Sequence, residues 1–202
     1  MPLLILASAS PRRQELLASA GIAFEVIPSE ADEGTRDGEL PEDYVKRLAL
    51  QKAAEVAGKH GHRWVLAADT IVVIGGSILG KPKDSPEARD MLERLSGREH
   101  RVITGYCILQ ASSGMKREGM AVTRVRFKKL SQEEIQWYLE TGEPFDKAGA
   151  YAIQGKAAFM VKEILGSYTN VVGLPLCEVV EALRELDPLT LPSPPLRGRG
   201  PG

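Results

Sequence analysis

Apolar and polar positions along the chain change period several times, and each change marks an element. "LLILA" is a short unbroken apolar run, as a buried strand requires. It gives way to "SPRRQELL", where Ser10 stands as N-cap, Pro11 takes the first helical position, and Leu16 and Leu17 point inward. "IAFEVIP" predicts a second strand, ended by Pro28. Over residues 42–57, Val45, Leu48, Ala49, Ala53 and Val56 recur at helical spacing and predict a helix with one apolar face. "WVLAADTIVVIG" predicts a strand pair or one long interrupted strand, with "SILG" as a hairpin return. "DSPEARDMLERLSG" predicts a helix with Ser85 as N-cap, Pro86 first in the helix and Gly97 as its stop.

The second half opens with β patterning. "RVITGYCILQ", a turn at "SSG", and "EGMAVTRVRF" predict a long antiparallel hairpin. "LSQEEIQWYLETG" carries a capping box, Ser131 with Glu134, and a Gly142 stop. A strand over "AAFMVKEI" and a helix near 175–186 complete the series. Alternation followed by a meander predicts an α/β fold, a mixed twisted sheet flanked by helices. One domain over 1–187 accommodates it, and the Pro/Gly-rich tail over 188–202 has too little to bury and is expected to be disordered.

Composition narrows the function classes. The 202 residues are 43% hydrophobic and the formal net charge is −1, so no global field draws the chain to nucleic acid or an anionic membrane, and any anion site must be local. No apolar run nears the roughly 18–20 residues of a membrane span. The start "MPLLILASAS" lacks a basic region ahead of its apolar run, which argues against a signal peptide. Cys107 and Cys177 form no metal-type pair, and reduced thiols in a cytoplasmic protein are the expectation.

Against that background a few polar residues stand out. Arg12 and Arg13 occupy a first helical turn, where the macrodipole prefers negative charge; an anion in front of the helix reconciles them with it. "GGSILGKP" has the spacing of a phosphate-binding loop from Gly75 to Lys81, but Pro82 stands where that loop needs a hydroxyl, so the motif is rejected. Asp69 interrupts an apolar strand, where an unpaired carboxylate is costly. It reads either as a hydrogen-bonded strand-end aspartate or as a metal ligand or general base at a strand terminus. Asp32 and Glu33, in "EADEG", add loop carboxylates that with Asp69 could hold a hard divalent cation. Lys52 falls on the apolar stripe, either snorkelling at its edge or directed at a phosphate. In "DKAGAYAIQGKA", Gly149 and Gly155 allow a ligand close to backbone, and Gln154 offers the donor and acceptor that suit a nucleobase edge. Together, Arg12, Arg13, Lys52 and Lys81 could neutralise a polyphosphate while the acids hold a metal or activate water. With no serine or cysteine in a nucleophile elbow, direct hydrolysis of a phosphoanhydride is favoured over a covalent route.

"LILASASPRRQELL", "RLALQKA", "AADTIVV", "GKPKD", "LSGREHRVITG", "DKAGAYAIQG" and "GSYTNVVGLPL" occur in that order from residue 3 to about 176. In this the chain resembles the Maf family of nucleoside triphosphate pyrophosphatases, historically described as septum-formation inhibitors. The resemblance implies a deep cleft between two lobes, a homodimer, and hydrolysis of a nucleoside triphosphate to monophosphate and pyrophosphate with a divalent metal, Mg²⁺ or Mn²⁺. It makes Asp69 the proton acceptor, with Glu33 and Asp69 toward the metal. Arg12, Thr70 and Gln154 match positions linked with substrate choice, and Ser8, Arg13, Lys52 and Lys81 match other polar positions of the cleft. The "YAIQG" form looks like the branch acting on dTTP and UTP rather than the one preferring 7-methyl-GTP. The alternative from another class is a nucleotide-sensing regulator of cell division with little or no hydrolysis, against which the acids Glu33 and Asp69 weigh.

Overall fold

One central strand organises the architecture. In a computed structural model describing residues 4–186, β3 (Trp64–Ile74) lies near the middle of a seven-stranded mixed sheet. The order is β2 (Phe24–Val26), β1 (Leu4–Leu6), β3, β5 (Glu99–Gln110), β6 (Met115–Phe127) and β7 (Val161–Leu165), with β4 (Ser77–Leu79) also paired to β3. β1 runs parallel to β2 and β3; the pairings of β3 with β4 and β5, β5 with β6, and β6 with β7 are antiparallel. The tail expected to be disordered lies outside the described residues.

One side of β3 is continuous and the other is broken. Toward β5 the ladder runs without interruption from Val65 to Val73. On the opposite side β1 pairs only with Trp64–Leu66 and β4 only with Val72–Ile74. Between them, at residues 67–71, no described strand covers that edge, and a cleft opens there. Asp69 therefore sits mid-strand, not at the strand terminus expected from sequence, because the ladder to β5 carries the backbone straight through it.

Side-chain alternation along β3 then sorts what each face receives. Ile5, Val65, Ala67 and Cys107 pack with Ala49, Ala53 and Val56 of α2 (Pro41–Lys59). Leu4, Leu6, Leu66 and Ala68 belong to the larger cluster on the other face, with residues of α1 (Pro11–Ser19), α3 (Ser85–Leu95), α4 (Gln132–Glu140), α5 (Tyr168–Val172) and α6 (Leu176–Leu186). By the same alternation Asp69 faces α2 and Thr70 faces α1 and α5. Gly105, the partner of Asp69 on β5, makes the close approach of α2 possible. A Cβ there would lie 2.5 Å from the Val45 carbonyl oxygen.

Most predicted elements are present, with instructive shifts. The N-cap of α3 is Asp84, whose carboxylate accepts from the Glu87 amide, and Ser85 is already helical. Both residue types cap well, and the bond that Asp84 forms to the Glu87 amide selects it. "AAFMVKEI" divides into a 3₁₀ turn, Lys156–Met160, and the strand β7. Ser10 occupies the N-cap of α1 but makes no side-chain capping bond. The Ser131–Glu134 capping box forms as predicted, and Gly75 and Gly76 turn the β3–β4 hairpin with positive φ. No helix among the described residues is long and apolar enough to cross a membrane.

Candidate active site

The cleft beside β3 has a volume of about 580 Å³. One wall is the start of α1 with the turn before it, Ala7 to Arg13; Asp69 to Val72 form the floor. Glu33, Lys52, Lys81, the 146–153 loop and Gly173 close the remaining sides. Helix α1 thus presents its N-terminal amides to a space holding cations and carboxylates together.

On the α2 side, Lys52 reaches from the apolar stripe into the floor. Its Nζ donates to Asp69 Oδ1 at 2.7 Å and lies 2.5 Å from Glu33 Oε1. The Lys52 and Asp69 side chains are only about a tenth exposed, whereas Glu33 is 56% exposed toward the cleft. Burial by itself would raise the Glu33 carboxyl, but the Lys52 hydrogen bond and the charges of Lys52, Lys81 and Arg13 hold it below the usual carboxylate range. Tyr44 donates its hydroxyl to the Glu33 carbonyl at 2.9 Å. Burial and then the Asp69 and Glu33 charges push its phenol up to about 12, so it remains a donor. Lys52, one of the cations expected to meet phosphate, is thus placed against the two acids.

On the α1 side, Arg13 is bound into the protein. Its Nε donates to the Gly173 carbonyl at 2.7 Å, Nη1 to Ser8 Oγ at 3.1 Å and Nη2 to Thr70 Oγ1 at 3.0 Å. Three of its five N–H groups are used, leaving two for a ligand. Burial lowers its pKa, the Arg12 charge adding to this and Asp69 and Glu33 opposing it. Arg12, half-buried, lines the cleft with no hydrogen bond or ion pair to any described residue. Lys81 also lines it and is exposed.

The loop carrying "AYAIQG" is held from behind. Glu143 accepts from the Tyr138 hydroxyl at 2.9 Å and from the Lys156 amide at 3.0 Å, and the Ala152 amide donates to the Tyr138 hydroxyl. Ala152 and Ile153 line the cleft; Gln154 is exposed next to them and is not brought into contact with the Lys52 cluster. The two glycines serve the protein, not a ligand as expected. A Cβ on Gly149, whose φ is +69°, would meet the Val72 side chain at 2.9 Å, and one on Gly155 would overlap the Glu143 carboxylate.

Behind this wall His100 is buried, its Nε2 2.8 Å from the hydroxyl of Tyr151, which lines the cleft. The ring stacks edge-on with Phe127 and Tyr151. Burial lowers its pKa from the usual 6.5 to about 4. Because the folded state refuses a proton that the unfolded chain accepts, the stability is full above about pH 6.5 and is lost as pH falls toward 4. The loss amounts to about 3 kcal/mol. Urea midpoints measured from pH 7 to 4 should show that decline, and His100→Gln should flatten it.

Sequence reasoning missed Tyr44, Thr104, Tyr138, Glu143, Asn170 and Gly173. Their spacing carries no chemical signature. The one available signal was that five of them fall in or just ahead of stretches matched to a family, Thr104 in "LSGREHRVITG", Asn170 and Gly173 in "GSYTNVVGLPL", Tyr44 just ahead of "RLALQKA" and Glu143 just ahead of "DKAGAYAIQG".

The site is thus a cleft of an α/β protein that gathers a helix N-terminus, the cations Arg12 and Lys81, and a lysine-bridged pair of carboxylates. Comparison gives that class its family: the profile of the family described as Maf-like protein matches residues 3–186, and the chain belongs to it. It is 59% identical over 187 residues to the "dTTP/UTP pyrophosphatase" of Geotalea uraniireducens (strain Rf4), covering 91% of this chain and 94% of that one. To the protein of the same name from Syntrophus aciditrophicus (strain SB) it is 54% identical, over 93% and 91% of the two chains. Among solved structures, protein VC0702 from Vibrio cholerae aligns over 94% of this chain and 98% of its own at 12% identity, with a TM-score of 0.43, too low to add to the topology described above.

Proposed function

We propose that the protein is a nucleoside triphosphate pyrophosphatase that hydrolyses dTTP and UTP to the monophosphate and pyrophosphate. The observation that carries this is the Lys52 ammonium joining Asp69 to Glu33 in a cleft otherwise lined by Arg12, Arg13 and Lys81. Cations alone would serve a binding protein. The paired acids are what hydrolysis requires, and the names of the two relatives support the substrate.

In this reading Asp69 accepts a proton from a water whose oxygen bonds to the α-phosphorus. The bond from that phosphorus to the α,β-bridging oxygen breaks, and the electron pair leaves with pyrophosphate. Lys52 holds the Asp69 carboxylate in a fixed direction, and Arg12, Lys81 and the two spare Arg13 N–H groups stabilise the leaving charge. The donor set also suits a metal. Glu33 Oε1 and Asp69 Oδ1 converge on Lys52 Nζ, so the ion would be held by the hard carboxylate oxygens of the two acids that Lys52 does not engage. That matches Mg²⁺ or Mn²⁺, which take one or two carboxylates and complete their shell with phosphate and water oxygens. Such an ion would supply charge neutralisation on the triphosphate.

Gln154, exposed beside Ile153, would read the O4/N3–H edge of the pyrimidine. The enzyme would act in the cytoplasm, where thiols such as those of Cys107 and Cys177 stay reduced, and would do so as a homodimer. A panel of dTTP, UTP, CTP, ATP and GTP, with pyrophosphate, orthophosphate and monophosphate quantified, tests the reading. Pyrophosphate and monophosphate should form in equal amounts, fastest from dTTP and UTP. Release of orthophosphate, or tight binding without release of pyrophosphate, would overturn it, the latter in favour of a nucleotide-sensing regulator.

A further inference from the structure

Thr70 lines the cleft, yet its hydroxyl has no capacity left for a ligand. Its Oγ1 lies 3.0 Å from Arg13 Nη2, 2.9 Å from Thr104 Oγ1 and 3.2 Å from the Gly173 carbonyl oxygen. A guanidinium only donates and a carbonyl only accepts, so one arrangement satisfies all three contacts. Thr70 gives its proton to Gly173, and its two lone pairs accept from Arg13 and Thr104. Thr104 thereby spends its own proton on Thr70, the shorter of its two contacts; the Asn170 carbonyl is at 3.4 Å.

The register of the sheet builds the same pattern backward. Thr104 is the direct cross-strand partner of Thr70, and Thr123 on β6 pairs with Val102, two residues from Thr104 and on the same face. Asn170 in α5 donates both amide hydrogens to this face, to the Val102 carbonyl at 3.1 Å and to Thr123 Oγ1 at 2.9 Å. Thr123 in turn accepts from the Ser167 amide and donates to the Ser167 carbonyl, both at 3.1 Å. Thr104, Thr123 and Asn170 are buried completely. The Thr70–Thr104 pair and the Asn170–Thr123–Ser167 set are thus joined into one polar ladder through α5, where the Gly173 amide donates to the Asn170 carbonyl at 3.0 Å, and the open end is the Gly173 carbonyl, which receives Arg13.

We propose that Thr104 is a positioning residue for phosphate binding: through Thr70 and the Gly173 carbonyl it fixes the Arg13 guanidinium so that its two unused N–H groups face the cleft. Thr70 shapes the cleft through Arg13 and does not touch substrate with its hydroxyl. This rests on the cleft taking a polyphosphate, as in the function proposed above, and extends it by separating the groups that hold Arg13 from those that meet substrate.

The test uses the full chain and inorganic tripolyphosphate, which has neither base nor sugar. Thr104→Val keeps the shape and removes the hydroxyl; Thr104→Ser keeps the hydroxyl. Calorimetric affinity for tripolyphosphate should fall about tenfold in T104V, the scale of one charge-assisted hydrogen bond, and return in T104S. KM for dTTP should rise by the same factor, with kcat within about twofold, since Asp69 and Lys52 lie on the other face. In a Thr70→Val background, T104V should add nothing, because both changes act on one chain of bonds. If T104V binds tripolyphosphate as the wild type does while its melting temperature falls, the ladder is structural only and the proposal is wrong. Should T104V fold poorly, the same affinity measured in Thr104→Ala decides the matter. A wild-type protein that binds tripolyphosphate but cleaves no triphosphate would defeat the proposed function and leave the ladder testable by calorimetry alone.

Discussion

Asp69→Asn is expected to lower the rate of pyrophosphate release from dTTP by about 10²–10⁴-fold while the protein stays folded. The substitution keeps the size of the side chain and an oxygen facing Lys52 Nζ, now 2.7 Å from Asp69 Oδ1, but removes the group proposed to take the proton. Lys52 retains Glu33 at 2.5 Å, so its charge is not stranded in the floor of the cleft. Initial rates at saturating dTTP, read beside a thermal melt, check both halves. The loss should appear in kcat, with KM changing little, because Arg12, Arg13 and Lys81, the proposed phosphate partners, are untouched. Wild-type turnover in this variant would remove Asp69 from the reaction.

Lys52→Met acts on the same pair from the other side and should cost stability as well as rate. Asp69, about a tenth exposed, would be left in a desolvated position with no ammonium against it. Stranding one member of a buried ion pair costs about 3 kcal/mol at the low end, and the open side of the cleft keeps the cost there. Turnover should fall about 10–100-fold, as when the partner that orients a catalytic ligand is removed. Urea melts of K52M, D69N and the double variant separate pairing from packing. In the D69N background the cost of losing Lys52 should shrink to about 1 kcal/mol, since no buried carboxylate is then left unpaired. An equal cost in both backgrounds would assign the loss to the lysine stem packed against α2's neighbours.

The local elements were legible because each rests on nearest-neighbour chemistry. The helix beginning at Pro11, the Ser131–Glu134 box, the β5–β6 hairpin and the apolar stripe of α2 all follow from residues close to one another in the chain. Boundaries failed where two residues offer the same chemistry. Asp84 and Ser85 can both cap, and only the formed bond to Glu87 chooses between them. Short elements failed where nothing periodic fits, as in the five-residue α5.

The candidate site was legible residue by residue but not as an arrangement. Asp69 announced itself by interrupting an apolar strand, and Lys52 by standing on an apolar stripe. That the two meet depends on α2 lying close enough to β5 for the Val45 carbonyl to fill the space a Gly105 side chain would take. Gly149 and Gly155 were misread as room for a ligand because a glycine does not say what occupies the place of its missing side chain. Here it is Val72 and Glu143. Arg13, matched to a phosphate partner, turns out to spend three donors on Gly173, Ser8 and Thr70, the first 160 residues away.

By itself, then, the amino-acid sequence determined the α/β class, most of its elements and the polar residues that interrupt apolar patterns, since propensity, capping and periodicity act over a few residues. Tertiary structure alone decided where the cleft opens, which carboxylates share Lys52, and whether Arg13 answers to protein or to ligand. Those depend on β1 leaving β3 after Leu66 and β4 joining it only at Val72, and on strand register and helix approach. Such contacts join residues as far as 160 positions apart, and no local pattern encodes them.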